Sequence, residues 1–137
     1  MYTMNFWPIL VASIVAFAIG ALWYSPILFG KEWMALNKMS ASDVDAAKAK
    51  GVWKMYVSQF VITLISYSVL GFLVVSSGMW GASNGAFLGF FLWLGFVMPI
   101  GASGLFWEKK PFKLVLINVV GTLLTLVIGG AIIGAWK

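Results

Sequence analysis

Ser25, Ser66 and Tyr67 are among the side chains of this sequence that could act as nucleophiles in largely apolar surroundings. A hydroxyl becomes a nucleophile only beside a base that takes its proton. The sequence holds no His and no Cys, and its four carboxylates (Glu32, Asp43, Asp45 and Glu108) all lie in lysine-bearing connections. No activating partner is in prospect, so the chain reads as not an enzyme. Zinc and haem lose their usual ligands as well, and no metal or cofactor is expected.

A second group of residues is polar without being reactive. Trp23 and Tyr24 precede Pro26, and Trp93 precedes Pro99. Gln59, Thr63, Ser66, Tyr67 and Gly71 recur at helical spacing, as do Asn118, Thr122, Thr125 and Gly129. Each proline removes a backbone donor and frees a carbonyl one turn earlier, near Leu22 in the first case. Within a membrane such a carbonyl must be satisfied by another helix, by water or by a ligand. These residues (Trp23, Tyr24, Pro26, Gln59, Thr63, Tyr67, Trp93, Pro99, Asn118 and Thr122) therefore form the candidate cavity or helix-break set. The same stripes could instead hydrogen-bond between helices and hold a bundle together. A continuous wet column would mark the first use, and dry, paired groups the second.

The elements that carry these residues follow from the charges. Hydrophobic residues make up 62% of the chain and charged residues 9%, far from a soluble domain. Nothing charged precedes Lys31, and none lies between Met55 and Trp107 or between Leu114 and Trp136. The middle segment would reach about 80 Å as one helix, so it must fold back once. Its hairpin falls at Ser77-Gly-Met-Trp-Gly-Ala-Ser-Asn84, rich in Gly and Ser. The reading is all-α: a four-helix transmembrane bundle with spans near 5–29, 54–77, 84–107 and 114–136, in a single membrane domain. A short amphipathic helix is expected between spans 1 and 2, with Ser42 and Asp45 as its capping box.

All nine basic residues are lysines, and eight of them lie in the 31–54 and 108–113 connections. The positive-inside rule puts both connections in the cytoplasm and both termini outside it. The net charge of +5 thus reflects topology, not nucleic-acid binding. Anionic lipid headgroups are the expected partners of these loops. No charge lies at mid-membrane, which disfavours proton- or cation-coupled transport, since that coupling needs an ionisable group there. Two small-residue ladders, Ala12/Ala16/Gly20 and Gly81/Gly85/Gly89, allow close helix approach, either within one bundle or between copies in a homo-oligomer.

The run Gly20-Ala-Leu-Trp-Tyr-Ser-Pro-Ile-Leu-Phe-Gly-Lys-Glu-Trp33 resembles the signature of a widespread bacterial family of small four-span membrane proteins, catalogued as a domain of unknown function. Leu116-Ile-Asn118 and Gly134-Ala-Trp136 are similar to that family's last span. The resemblance implies this architecture in a bacterial inner membrane, and no activity. Members often carry a His in the last span; here Gly121 and Thr122 stand in that region, so no such role passes to this chain. Two functional readings remain open. One is an oligomeric channel or transport-like protein for a small neutral or weakly polar species, with its path at the broken ends of spans 1 and 3. The other is a structural or interaction protein whose loops meet lipid or a partner.

Overall fold

A computed structural model describes residues 5–136, all helix and connection with no strand among them; Lys137 lies outside the described residues. Seven α-helices follow in order: α1 Phe6–Trp23, α2 Gly30–Leu36, α3 Ala41–Ala49, α4 Trp53–Ser77, α5 Ala82–Leu92, α6 Met98–Trp107 and α7 Phe112–Ala135. A π-helical turn, Trp93–Val97, joins α5 to α6, so that Ala82–Trp107 forms one span. With α1, α4 and α7 it makes four helices long and apolar enough to cross a membrane. The protein is a multi-pass membrane protein.

Local chemistry sets the ends. Asn5 caps α1 by accepting the Trp7 amide through its side chain at 3.1 Å. The left-handed conformation that stops α4 falls on Gly78, where no Cβ opposes it. The first span ends at Trp23, not near Phe29, because Pro26 cannot continue the helix and the chain turns back on itself until Gly30. Between spans 1 and 2 stand two short helices where the sequence suggests one. The capping box of α3 is Ser40 with Asp43, not Ser42 with Asp45: the Ser40 amide donates to Asp43 Oδ2 at 2.8 Å, and the Asp43 amide to Ser40 Oγ at 3.2 Å. Both pairs satisfy the same sequence spacing, and Ser42 falls inside the first turn of the helix.

The bundle is organised around α7, which packs against α1, α2, α4, α5, the π turn and α6. Ile9, Ala12, Ala16, Tyr67, Leu70, Val74 and Ile133 form the core, with Leu64, Trp80, Leu88, Leu92, Leu126 and Ile132 packed on it. Third-span residues cross to α7 along a glycine seam. Cβ atoms added at Gly85, Gly89, Gly130 or Gly134 would strike the carbonyls of Gly130, Leu126, Gly85 and Gly81 respectively. Each step of four along α5 meets a step of four backwards along α7, as antiparallel backbones in near contact require. The Gly81 amide closes the seam by donating to the Gly134 carbonyl at 2.7 Å. Lipid supplies no hydrophobic drive for helix association, so close packing of this kind must supply it.

Candidate functional site

The site forms where the two broken spans meet α7. Beyond Trp23 the chain closes a compact turn. The Phe29 amide donates to the Trp23 carbonyl at 3.0 Å and the Gly30 amide to the Ser25 carbonyl at 2.8 Å. A Cβ on Gly30 would run into the Tyr24 carbonyl and the Ser25 backbone, so the turn demands glycine at its last position. Among the described residues, the Leu22 carbonyl that Pro26 frees is taken by Ser25, through its amide at 3.1 Å and its hydroxyl at 2.6 Å. Neither water nor a ligand is needed there. Pro26 itself is exposed.

This turn aims two aromatic donors at α7. Trp23 Nε1 donates to the Ile117 carbonyl at 3.0 Å, and Tyr24 OH to Asn118 Oδ1 at 2.9 Å. The indole reaches a helix carbonyl because Gly121 leaves the backbone bare: a Cβ there would lie 2.9 Å from Trp23 Nε1. Phe29 packs on Trp23 with ring centroids 4.6 Å apart, and Trp33 of α2 packs edge-on to Tyr24 at 5.8 Å. Glu32 and Lys113 pair at 3.0 Å and fasten α2 to the start of α7.

The third span repeats the device. Its break is the π turn immediately before Pro99, where the Met98 amide reaches back to the Trp93 carbonyl. Trp93 Nε1 donates to the Val119 carbonyl at 2.7 Å. Ile117 and Val119 are two residues apart, about 3 Å along the helix axis. Both breaks therefore dock on α7 at the same level. On α4, Tyr67 OH donates to the Thr125 carbonyl at 2.6 Å, and again a glycine makes room, since a Cβ at Gly129 would sit 2.6 Å from the Tyr67 ring.

The remaining candidates do not join this cluster. Thr63 Oγ1 donates to the Gln59 carbonyl and Thr122 Oγ1 to the Val119 carbonyl, both at 2.8 Å. Gln59, Thr122 and Pro99 are exposed on the apolar surface of the bundle. Ser58, Ser66, Ser68, Ser76 and Ser77 likewise bond to carbonyls four residues earlier on α4. Apart from Tyr67, the polar stripe of α4 thus turns largely onto its own backbone among the described residues. Ala12 and Ala16 are buried in the core, Gly81, Gly85 and Gly89 lie along α7, and Gly20 alone of the six keeps open space where a Cβ would stand. A small cavity of about 10 Å³, room for one water at most, lies among Asn5, Pro8, Gly71, Trp80, Ile133 and Trp136 at the lysine-poor end, and neither Trp23, Tyr24 nor Trp93 lines it.

Sequence reasoning marks Trp23, Tyr24, Trp93, Tyr67 and Asn118, and puts Gly129 on the small face of the last span. It assigns Gly121 no part in admitting Trp23, and takes Ser25 as a nucleophile candidate where it closes, with Gly30, the turn that presents the first two. The family model described as Protein of unknown function (DUF1761) matches residues 7–134. The chain belongs to that family. The matched region takes in every docked aromatic and the whole glycine seam, so the site and the hub are features of the DUF1761 segment. No curated protein and no solved structure matches the chain.

Proposed function

We propose that this chain is a non-enzymatic protein of a bacterial cytoplasmic membrane that works through its surfaces and not through a pore along its own axis. In this reading the lysine-rich end faces the cytoplasm, where it meets anionic lipid headgroups, and both termini lie outside. The observation that carries it is the state of the polar groups inside the spans: the hydroxyls and indoles named above are bonded to their own helix or to α7. A path for solute needs a run of polar groups free to exchange partners with what passes. Purified protein in vesicles is expected to leave glycerol and urea permeability at the protein-free value in stopped-flow light scattering. A rate that rises with protein density would overturn the reading.

The channel reading keeps one observation in its favour, the docking of both broken spans at one level of α7. Its path would then run between copies in a homo-oligomer. With Ala12, Ala16, Gly81, Gly85 and Gly89 packed inside the chain, the contact between copies would use the outer faces of α4 or of the third span. Cross-linking in vesicles across several protein densities tests this, with a constant, ladder-free monomer as the adverse result.

A further inference from the structure

The cleft between α1 and α4 is closed at one half and open at the other. Toward the lysine-poor end, Ala12 and Ala16 let α1 lie close to Tyr67, Leu70 and Val74. Beyond Ala16 the α1 side chain that meets α4 is Phe17, edge-on to Tyr56 at 5.8 Å and to Phe60 at 6.3 Å. The result is a groove of about 300 Å³ lined by Ile14, Phe17, Tyr56, Val57, Phe60 and Val61. It lies in the lysine-rich half of the spans, because Tyr56 is in the first turn of α4. Lys54 stands at the same end, one turn or less above the groove residues Tyr56 and Val57. Its Nζ lies 5.8 Å over the Trp53 ring, and among the described residues no carboxylate pairs with it, while Glu32 and Glu108 are held by Lys113 and Lys110.

We propose that this groove is a specific lipid site: one acyl chain of an anionic phospholipid lies in it, and the phosphate of that lipid is bound by Lys54. The proposal rests on the surface-acting reading above and names its ligand. Two features select the occupant. The lining is wholly apolar apart from the Tyr56 hydroxyl, which suits a hydrocarbon chain, and its mouth carries an unpaired cation at the depth where a headgroup sits. A lysine beside the membrane surface favours an anionic headgroup over a zwitterionic one, and the Lys54 stem can lie along the chain while its ammonium reaches the phosphate. Trp53, exposed next to it, suits the same interface.

The test uses the full chain in mixed micelles of phosphatidylglycerol and phosphatidylcholine, with native mass spectrometry counting retained lipids. The wild type is expected to retain one phosphatidylglycerol in preference to phosphatidylcholine by roughly five- to tenfold, the order that one headgroup charge contributes. Lys54→Gln should abolish the preference and leave one lipid of either kind. Val57→Trp, which fills the groove, should lose the retained lipid altogether. Lys48→Gln, on the exposed face of α3, should behave as wild type. Circular dichroism and thermal scanning establish that each variant is folded, and Val61→Phe replaces Val57→Trp should the latter fail to fold. Spin-labelled phosphatidylglycerol provides an independent readout by quenching tryptophan emission, with the Trp53 share, taken as the difference from Trp53→Phe, expected to weaken in Val61→Phe. Retention unchanged in both Lys54→Gln and the filled variant overturns the site. Solute flux in the permeability assay, with the lipid preference intact, would instead overturn the surface-acting reading and spare the site.

Discussion

Trp23, Tyr67 and Trp93 each bring one polar hydrogen into an apolar bundle and place it on a carbonyl of α7. Those carbonyls already serve the α7 ladder, so each aromatic adds a further bond; Gly121 and Gly129 leave the backbone bare for Trp23 and Tyr67, and at Val119 the Trp93 indole shares the carbonyl with the Thr122 hydroxyl. Gly121→Ala is therefore expected to push the Trp23 indole off Ile117, since the new Cβ would lie 2.9 Å from Nε1. Overpacking of this kind costs about 1–3 kcal/mol. It should lower the midpoint of thermal unfolding in detergent and shift tryptophan emission to the red as the indole meets solvent or headgroups. Gly20→Ala is the matched control, because nothing stands within 4 Å of its Cβ position, and its midpoint should hold. Tyr67→Phe should lose only the bond to Thr125, about 0.6 kcal/mol by the average for such bonds in membranes.

At the scale of elements, the turn between α1 and α2 depends on Gly30 more than on Pro26. The proline stops the helix, but Ser25 already satisfies Leu22, and the return of the chain passes through a point where only glycine fits. Gly30→Ala is expected to destabilise the protein well beyond Pro26→Ala, and to release Tyr24 from Asn118; ultraviolet resonance Raman of the tyrosine hydroxyl would follow that bond. The cap of α3 gives a pH prediction. Hydrogen bonds from the Ser40 amide and hydroxyl hold the exposed Asp43 carboxyl below its ordinary value. A lowered value means the cap is fully made above the ordinary carboxylate range and is lost as pH falls through the lowered one. Helical carbonyl and Cα shifts of α3 should fade over that acid window alone. Asp43→Asn should remove the pH dependence and weaken the helix at neutral pH.

For the whole molecule the seam between α5 and α7 decides whether four helices make one body. Gly85→Leu or Gly130→Leu would force the third span off α7, and the folded chain itself is expected to lose its cooperative thermal transition. The double variant should be little worse than either single one, because both break one contact. Dissociation of an oligomer with an intact monomer transition would contradict this. Why the seam is hard to read in a sequence is physical. A soluble helix shows its buried side as an apolar stripe, but a helix in lipid is apolar all round, and α4 exposes Tyr56, Ile65 and Phe72 as freely as it buries Leu70. The number and rough bounds of the spans follow from uncharged runs, and the two breaks from Pro26 and Pro99. The hub does not, since the acceptors at Ile117, Val119 and Thr125 are backbone atoms that every residue possesses. The signal was present in Gly121, Gly129, Gly130 and Gly134, an excess of bare positions on one helix.

The central place of α7 also bears on how the protein is made. Chains enter the membrane in the order of synthesis, N-terminal parts first. The helix that holds α1, α4 and the third span is the one that emerges after all of them. Until it arrives, α1 and α4 can meet each other, but the third span has its glycine face open to lipid and Trp93 has no carbonyl of α7 to reach. Packing of the third span is thus expected to wait until α7 inserts. A ribosome stalled before Phe112 would leave a loose set of helices, open to the proteases that patrol the bilayer for unpaired spans.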